Sequence, residues 1–344
     1  MNIPIRNLYF ILLYAWDHLE ARDTVSVSGL RSDQPIDLLA YVLSEATERV
    51  LKHGLDRGYV PRSAATARIH GRINFGSSVR SGALARSRLW CEYDDLSYDV
   101  LHNRILKTTL RQLSEAIGLA RNLRAELLRL YDRMDAVEEV RISSALFSRV
   151  RLNRNNRFYA LLLSVCRAVH EGLILDETAG GLVFHQFERD EVRMRLLFQH
   201  FVKNLLRRRL PADYKVAAKR IEWQRMEGAP EDLRYLPTLN TDVVVERGSQ
   251  SLIIETKYTA RSTTTRFDVE RARSEHLYQL FAYMQNYADG QRGRTVGGLL
   301  LYPRSDRTLD ASFSVMGHHV RLATLDLSRE WDTIEAELLA LVTS

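Results

Sequence analysis

Cysteine is rare in this chain of 344 residues, which has only Cys91 and Cys166. Two cysteines that far apart provide neither the close spacing of a zinc site nor the four thiolates of an iron–sulfur cluster, so we expect both to be reduced and buried. Long apolar runs are also lacking, since no stretch approaches the roughly 18 apolar residues of a transmembrane helix. A secretory signal is not expected, because Trp16 and Asp17 stand where small residues would be needed. These absences predict a cytoplasmic protein with no membrane contact.

Lysine is also scarce, with six lysines against 43 arginines. The net charge of +6 is a moderate basic excess, which permits contacts with phosphate groups but does not demonstrate them. With 45% hydrophobic and 27% charged residues, the composition is that of a globular protein, and the length suits two domains. One of the six, Lys257, stands at a place where a compact charge suits the predicted chemistry better than a broad guanidinium.

A β-hairpin is predicted in the C-terminal half of the chain. Two short apolar runs that are mostly β-branched, residues 243–245 and 252–254, flank a polar segment that contains Gly248 and Ser249. This pattern is typical of paired strands. A two-residue type II′ turn with glycine first fits this segment. Such a turn fixes the register, so that facing residues have numbers that sum to 497.

This register brings three charged residues to one end of the hairpin. Asp242 lies opposite Glu255, with Cβ atoms roughly 5 Å apart, and alternation places Lys257 on the same face as Glu255. Two facing carboxylates are destabilising unless a cation neutralises them, and Mg²⁺ binds such pairs while it keeps several waters. The alternative is an exposed strand face with an ordinary Glu–Lys pair. Apolar residues at both parities of each strand favour a covered strand pair instead.

The pattern D-(x)n-E-x-K on a hairpin resembles the PD-(D/E)XK nuclease motif, although the proline is not adjacent to the aspartate. This resemblance implies that Asp242 and Glu255 are metal ligands and that Lys257 acts on the attacking water. About twenty residues later, Gln279 and Tyr283 fall at i and i+4 of a predicted helix. They fit the Q-x-x-x-Y element of RecB-like nucleases, whose glutamine and tyrosine lie beside the metal and the DNA.

A predicted helix over residues 188–209 offers one further acidic candidate. Nucleases of this superfamily often add an acidic residue there as a ligand of the metal or of water. Glu191 is the first choice and Glu188 the second. The alternative for either glutamate is a favourable negative charge in the first turn of a helix.

The order of helical and strand patterns along the chain predicts two domains. Residues 1–175 form an α+β domain that is mostly helical, with a β-rich arm inserted within residues 59–94. Residues 176–344 form an α/β domain that contains the hairpin, a helix predicted over 269–287 and an apolar strand over 296–302. The second domain is predicted to have the PD-(D/E)XK restriction-endonuclease-like fold.

Several motifs occur in order along the whole chain. They are I-P-I-R-N-L-Y-F-I-L-L-Y-A-W at residues 3–16, G-R-I-N-F at 71–75, F-E-R-D-E at 187–191, L-Y-Q-L-F-A-Y at 277–283 and G-G-L-L-L-Y-P at 297–303. Together they resemble the McrC family, the nuclease subunits of McrBC-type modification-dependent restriction systems. The resemblance implies a Mg²⁺-dependent DNA endonuclease that docks on a hexameric AAA+ GTPase, McrB, and stimulates its GTPase. In such systems McrB recognises DNA with methylated cytosine.

The arm is the candidate docking element. Residues 67–87 are basic and rich in glycine and serine, and Arg72, Arg80 and Arg86 are placed to contact acidic or nucleotide-proximal groups of a ring-shaped partner. The alternative is a surface loop with no partner. For the whole chain, two other functions stay open. One is a stand-alone RecB-like exonuclease, and the other is a regulatory binding subunit with a vestigial nuclease site.

Overall fold

The computed structural model describes residues 3–21, 25, 27–176, 181–184, 191–224, 226–259, 263–266, 269–291, 293–305 and 307–343. Its helices are α1 (Ile5–Ala15), α2 (Pro35–His53), α3 (Phe75–Arg80), α4 (Leu101–Ser114), α5 (Arg121–Asp132), α6 (Ser144–Arg149), α7 (Tyr159–Gly172), α8 (Glu191–Arg209), α9 (Pro230–Leu233), α10 (Ser274–Gly290) and α11 (Trp331–Thr343). Its strands are β1 (Gly58–Thr66), β2 (Arg72–Ile73), β3 (Leu89–Ser97), β4 (Leu173–Asp176), β5 (Gly181–Phe184), β6 (Lys215–Ala217), β7 (Arg220–Ile221), β8 (Leu239–Asn240), β9 (Val243–Arg247), β10 (Gln250–Thr256), β11 (Thr263–Arg266), β12 (Val269–Ala272), β13 (Thr295–Pro303), β14 (Asp310–Val315) and β15 (His318–Leu325). None of these helices is both long and apolar enough to cross a membrane.

The chain divides into two compact units. Residues 30–185 form one, here called the helical unit, and residues 1–29 together with 186–344 form the other, here called the sheet unit. These boundaries differ from the predicted domains of 1–175 and 176–344 mainly at the start of the chain. The first 29 residues belong with the C-terminal half.

Helix α1 accounts for this difference, because it is mostly apolar and is covered by protein on nearly all sides. Nearly all of its residues are buried, as expected of a helix surrounded by protein. It packs on α8, where Asn204 Nδ2 donates a 2.9 Å hydrogen bond to the carbonyl oxygen of Tyr14. Near its start, Asn7 Nδ2 donates to the carbonyl oxygens of Leu327 and Arg329 at 2.9 and 2.8 Å. These two buried amides tie α1 to α8 and to the segment that precedes α11.

A six-stranded mixed sheet forms the centre of the sheet unit, in the order β14-β15-β13-β10-β9-β6. Strands β10, β13 and β15 are parallel, and β9, β6 and β14 are antiparallel to their neighbours. On β9, all of the residues from Val243 to Val245 are buried. Burial at both parities confirms that the strand pair is covered on both faces.

Helix α10 packs on β13 and β10. Its approach to β13 is closest at Gly298, where an added Cβ atom would lie 2.5 Å from Met284 Sδ and 2.9 Å from Leu280 Cδ2. The sequence predicted that this helix starts at Val269, and that boundary is wrong. Residues 269–272 instead pair with residues 263–266 as β12 and β11, so α10 begins only at Ser274.

The helical unit combines a helix bundle with a three-stranded sheet. Helices α2, α4, α5 and α7 pack on one another, and both cysteines are buried with free thiols, as predicted. In the sheet, β3 lies between β1 and β2, which confirms a β-rich insert. The tip of the insert is helical rather than β-rich, since Asn74 Oδ1 accepts a 2.9 Å hydrogen bond from Ser77 N and caps α3.

Candidate active site

The predicted register of the β9–β10 hairpin is confirmed. Backbone pairing runs from Gln250 with Arg247 to Ile254 with Val243, and each of these pairs sums to 497. The turn has a positive φ of 55° at Gly248 and no positive φ at the following serine, as a type II′ turn requires. The hairpin therefore ends just before the two carboxylates that the sequence placed opposite each other.

Asp242 lies one residue before β9, where the strand ladder has already ended. Its Oδ2 accepts hydrogen bonds from the backbone N of Thr256 at 2.8 Å and from Thr256 Oγ1 at 2.7 Å. Burial raises the pKa of Asp242 more than these two hydrogen bonds lower it. The carboxylate is thus fixed in position but is not fully compensated for its loss of water.

Glu255, the next-to-last residue of β10, is only 3% exposed. Its Oε1 accepts a 2.8 Å hydrogen bond from Lys257 Nζ, whereas its Oε2 is buried and has no hydrogen-bond partner among the described residues. Burial, followed by the nearby charge of Asp242, raises the pKa of Glu255 to about 7, although Lys257 acts in the opposite direction. This carboxyl group is therefore about half protonated at neutral pH.

Lys257 connects the carboxylate to helix α10. Its backbone N donates to Leu301 O at 2.9 Å, so the chain is still aligned with β13 at this residue. Its Nζ donates to Gln279 Oε1 at 2.6 Å as well as to Glu255. Gln279 Nε2 in turn donates to the hydroxyl of Tyr283 at 2.8 Å. The structure thus joins four of the predicted residues in one hydrogen-bond network, namely Glu255, Lys257, Gln279 and Tyr283.

Side chains alternate between the two faces of β10, and this explains why Lys257 meets Gln279 of α10. Ile253 belongs to the buried cluster that includes Leu280 and Met284 of α10, so its side chain points towards that helix. Residues two and four positions later lie on the same face of an extended chain. Glu255 and Lys257 therefore point towards α10.

Two further residues of the site were not found from the sequence. His276 lies one turn before Gln279 on α10, and its Nδ1 is 2.9 Å from the hydroxyl of Tyr302. Burial, and then the charges of Lys257 and Arg273, lower the pKa of His276 to about 4, so the ring is neutral at pH 7. The helical spacing of three residues from the glutamine was the signal that could have identified it.

Arg195 is the other such residue, and it lies on α8. Its charge acts to lower the pKa of both Asp242 and Glu255, after burial and the contributions of nearer groups, and its side chain is exposed. Glu191 precedes it by one turn and is the exposed first residue of α8. Within the part of the chain that the structure describes, Glu191 makes no hydrogen bond or ion pair with the site. Glu188, the second acidic candidate, lies outside the described residues.

The carboxylate oxygens of this site are ligands that suit a hard divalent cation. Mg²⁺ prefers carboxylate oxygens and retains several waters, and the buried Oε2 of Glu255 is an oxygen of that kind. No cluster of three or more His, Cys, Asp or Glu side chains that could hold a metal occurs among the described residues. Asp242 and Glu255 are therefore a two-carboxylate set that fits Mg²⁺ with water in the other positions.

The predicted docking residues lie in the helical unit. Arg72 is in β2, Arg80 ends α3 and Arg86 ends a short 3₁₀ helix, and all three side chains are exposed. Large apolar side chains accompany them, with Ile69, Phe75 and Val79 each more than 60% exposed. The basic character of this insert was evident in the sequence, whereas its apolar surface became evident only in the structure.

Comparisons with known proteins agree along almost the whole chain. Residues 5–303 match the family described as McrBC 5-methylcytosine restriction system component. The type IV methyl-directed restriction enzyme EcoKMcrBC of Escherichia coli strain K12 is 30% identical over 337 residues, which are 98% of this chain and 96% of that protein. A solved half-complex, from a tetradecameric assembly of Thermococcus gammatolerans McrB AAA+ hexamers with bound McrC, matches with a TM-score of 0.57. That match covers 98% of this chain and 76% of the other at 17% identity, and it shows a shared fold.

Proposed function

The chain belongs to the McrBC family of 5-methylcytosine restriction system components, and from this premise we propose that it is the DNA-cleaving subunit of such a system. It hydrolyses phosphodiester bonds of double-stranded DNA with Mg²⁺, and its sheet unit is a PD-(D/E)XK nuclease domain. One observation carries this proposal. At the end of a doubly covered hairpin, Glu255 is buried beside Asp242 with a pKa of about 7, and one of its oxygens has no hydrogen-bond partner in the part of the chain that the structure describes. Such a pair is stabilised when a divalent cation binds it.

Asp242 and Glu255 would hold the metal ion. When bound, Mg²⁺ acts as a Lewis acid on the phosphate and lowers the pKa of a bound water. Thr256 keeps the Asp242 carboxylate in place through its backbone N and its hydroxyl. Both bonds go to Oδ2 and fix the orientation of the whole carboxylate, which favours a preorganised site.

Lys257 supplies the compact positive charge of the site. Its ammonium is held between Glu255 and Gln279 at 2.8 and 2.6 Å, and one of its three protons is left for water or a phosphate oxygen. In this place it orients the attacking water and stabilises negative charge that develops on the phosphate. Tyr283 fixes the amide of Gln279 and so positions the lysine indirectly.

The experiment is cleavage of methylated plasmid DNA by the chain reconstituted with its AAA+ partner. Asp242→Ala and Lys257→Ala should abolish cleavage while partner binding persists. Matched controls are Asp310→Ala and Lys215→Ala, which remove the same charges at exposed positions of the sheet unit. Direct Mn²⁺ binding, followed by electron paramagnetic resonance, should be lost in Asp242→Ala and kept in Asp310→Ala. Cleavage at the normal rate by both site variants would show that this assignment is wrong.

The partner in this proposal is a hexameric AAA+ GTPase of the McrB kind, which recognises methylated cytosine and whose GTPase this chain stimulates. The arm, residues 67–87, is the proposed docking element. Its exposed apolar residues suit the core of a protein interface, and its arginines suit the rim. The triple change of Arg72, Arg80 and Arg86 to alanine should abolish both GTPase stimulation and cleavage while Mn²⁺ binding stays unchanged. Survival of both activities would exclude the arm as the docking element.

The isolated chain should be nearly inactive on linear DNA with Mg²⁺, because in this proposal cleavage requires the partner. Robust digestion by the purified chain alone would favour a stand-alone exonuclease. Normal restriction by cells that carry Glu255→Ala would instead favour a regulatory subunit with a vestigial site.

A further inference from the structure

A cavity of about 530 Å³ opens in the helical unit, and the function proposed above does not use it. It lies between the start of β1, the start of α4 and the segment that follows α6. Four arginines and two aspartates are among its lining residues, namely Arg57, Arg104, Arg149, Arg151, Asp56 and Asp99. Its volume is within the usual range for a ligand-binding cleft.

Three of the four arginines form no ion pair with a described residue. Arg57 is nevertheless held, since it donates to the Tyr98 hydroxyl and lies over that ring. Arg104 is paired with Asp99, through a 2.8 Å hydrogen bond from Nε to Oδ1. In contrast, Arg149 and Arg151 are exposed and form no ion pair with any residue that the structure describes. Arg151 only donates to the carbonyl oxygen of Ser148, at 3.2 Å. The cavity therefore has two guanidinium groups available for an anion.

The sequence around these arginines has charge of one sign only. Residues 141–170 contain six arginines and no aspartate or glutamate. A run of this kind, together with a net positive cavity, favours a polyanionic ligand over a neutral or cationic one.

The floor of the cavity is rigid, and its negative charge is already engaged. Asp56 Oδ2 accepts a 2.8 Å hydrogen bond from Asn156 Nδ2 and lies 3.0 Å from Nε2 of the buried His102. Tyr159 donates to Asn103 Oδ1 at 2.6 Å and accepts from the backbone N of Asp56 at 3.2 Å. A network of this kind holds its groups in one arrangement, so the site is built before any ligand arrives.

The first turn of α4 adds to the positive electrostatic potential of the cavity. This helix of 14 residues begins at the cavity, has no side-chain cap at Val100 and has no acidic residue in its first turn. The free N–H groups of a helix start are favourable for a negative charge. They support the arginines but would not define a site without them.

We propose that this cavity, with Arg149 and Arg151, forms a second DNA-contact site, which binds phosphate groups of the backbone independently of sequence. The charged lining distinguishes it from the arm. A protein-docking surface has an apolar centre and few charges at its core. The arm exposes large apolar side chains, whereas four arginines and two aspartates stand among the lining residues of the cavity. Guanidinium groups with amide side chains around them are instead what phosphodiester oxygens require.

The test is binding of a fluorescent 20-base-pair duplex to the full-length chain in EDTA, measured by anisotropy from 50 to 300 mM salt. The variant is Arg149→Ala with Arg151→Ala. The matched control is Arg31→Ala with Arg121→Ala, which removes two exposed arginines of the same unit that do not line the cavity. A second variant, Arg149→Lys with Arg151→Lys, keeps the charge.

Loss of two phosphate contacts should lower the magnitude of the slope of log K against log salt by about 2, since each contact contributes about 0.9. Affinity at 0.1 M salt should fall at least about tenfold in the alanine variant and little in the lysine variant or in the control. An unchanged affinity and slope in the alanine variant would overturn the proposal. Unchanged DNA binding with lost binding of the AAA+ partner would also overturn it, in favour of an acidic protein surface.

This test is independent of the cleavage site. The assay contains no metal ion, and its variants leave Asp242 and Lys257 intact. Failure of the nuclease assignment would therefore appear in the Asp242→Ala experiment and would not alter the salt dependence measured here.

Discussion

The carboxyl group of Glu255 should make the folded protein less stable when it ionises, and Glu255→Gln should reverse this. Its pKa is about 7 in the folded chain and 4.5 in an ordinary glutamate. Because a tenfold change in proton affinity corresponds to about 1.4 kcal/mol, ionisation costs the folded state about 3 kcal/mol. Between pH 4.5 and 7 the folded protein binds more protons at this group than the unfolded chain does. The free energy of unfolding therefore falls as the pH rises through this window, and the loss is complete above pH 7.

Glutamine has nearly the same shape, can still accept the hydrogen bond from Lys257 and cannot ionise. In EDTA at pH 8, urea denaturation should show Glu255→Gln to be more stable than the wild type by about 1–3 kcal/mol. At pH 4.5 the two proteins should differ little. Adding Mg²⁺ at pH 8 should stabilise the wild type, by about 2.7 kcal/mol at 100 times the dissociation constant, and should leave the variant unchanged.

Glu246→Gln is the matched control, on the neighbouring strand. Burial raises the pKa of Glu246, but hydrogen bonds from Lys219 and Tyr287 outweigh burial, so its pKa is lowered overall. Folding therefore gains from its ionisation, and the glutamine variant should be less stable than the wild type at pH 8. If Glu255→Gln also destabilises the protein at pH 8 in EDTA, the reasoning about the uncompensated carboxyl group is refuted.

Three other outcomes are expected. Gln279→Ala removes one of the two acceptors that hold Lys257, and single-turnover cleavage should slow by about 10- to 100-fold with metal binding retained. Binding of Mg²⁺ at pH 7 should release about half a proton, because Glu255 must ionise; calorimetry in buffers of different ionisation enthalpy would measure this, and no release would contradict the assigned pKa. Gly298→Ala places a Cβ atom 2.5 Å from Met284 Sδ and should lower the free energy of unfolding by about 1–3 kcal/mol in urea titrations, whereas an unchanged value would mean that α10 moves away freely.

The hairpin could be predicted from the sequence because its information is local. A glycine followed by a serine between two mostly β-branched runs defines the turn, and the turn defines every facing pair. Gln279 and Tyr283 were likewise accessible through helical spacing and the resemblance to RecB-like nucleases. Once α10 packs on β10, these residues come within hydrogen-bonding distance, so the network from Glu255 to Tyr283 needs no other tertiary contact.

Other parts of the fold depend on contacts between distant residues, which no local pattern encodes. Helix α1 is largely apolar, and such a helix fits against any apolar surface. The hydrogen bonds of Asn7, Tyr14 and Asn204 specify its place in the sheet unit. Val269 was assigned to a helix because its neighbours suit one, yet it pairs with Arg266 in a hairpin. Arg195 affects the site through its charge from α8, whose position relative to the hairpin is a tertiary property.

Apolar burial on β9 and β10 offsets the free energy that folding loses when Glu255 ionises. Val243, Val244, Val245, Ile253 and Ile254 are at most 3% exposed, and burial of each such side chain contributes about 1.5–3 kcal/mol. The five together contribute about 8–15 kcal/mol, several times the roughly 3 kcal/mol lost when Glu255 ionises. The two carboxylates follow immediately where this pairing ends, so the strongest part of the hairpin adjoins its least stable part. A weaker strand pair would part at this end before the carboxylates could be held together, which is why the apolar runs and the acidic residues have to be neighbours in the sequence.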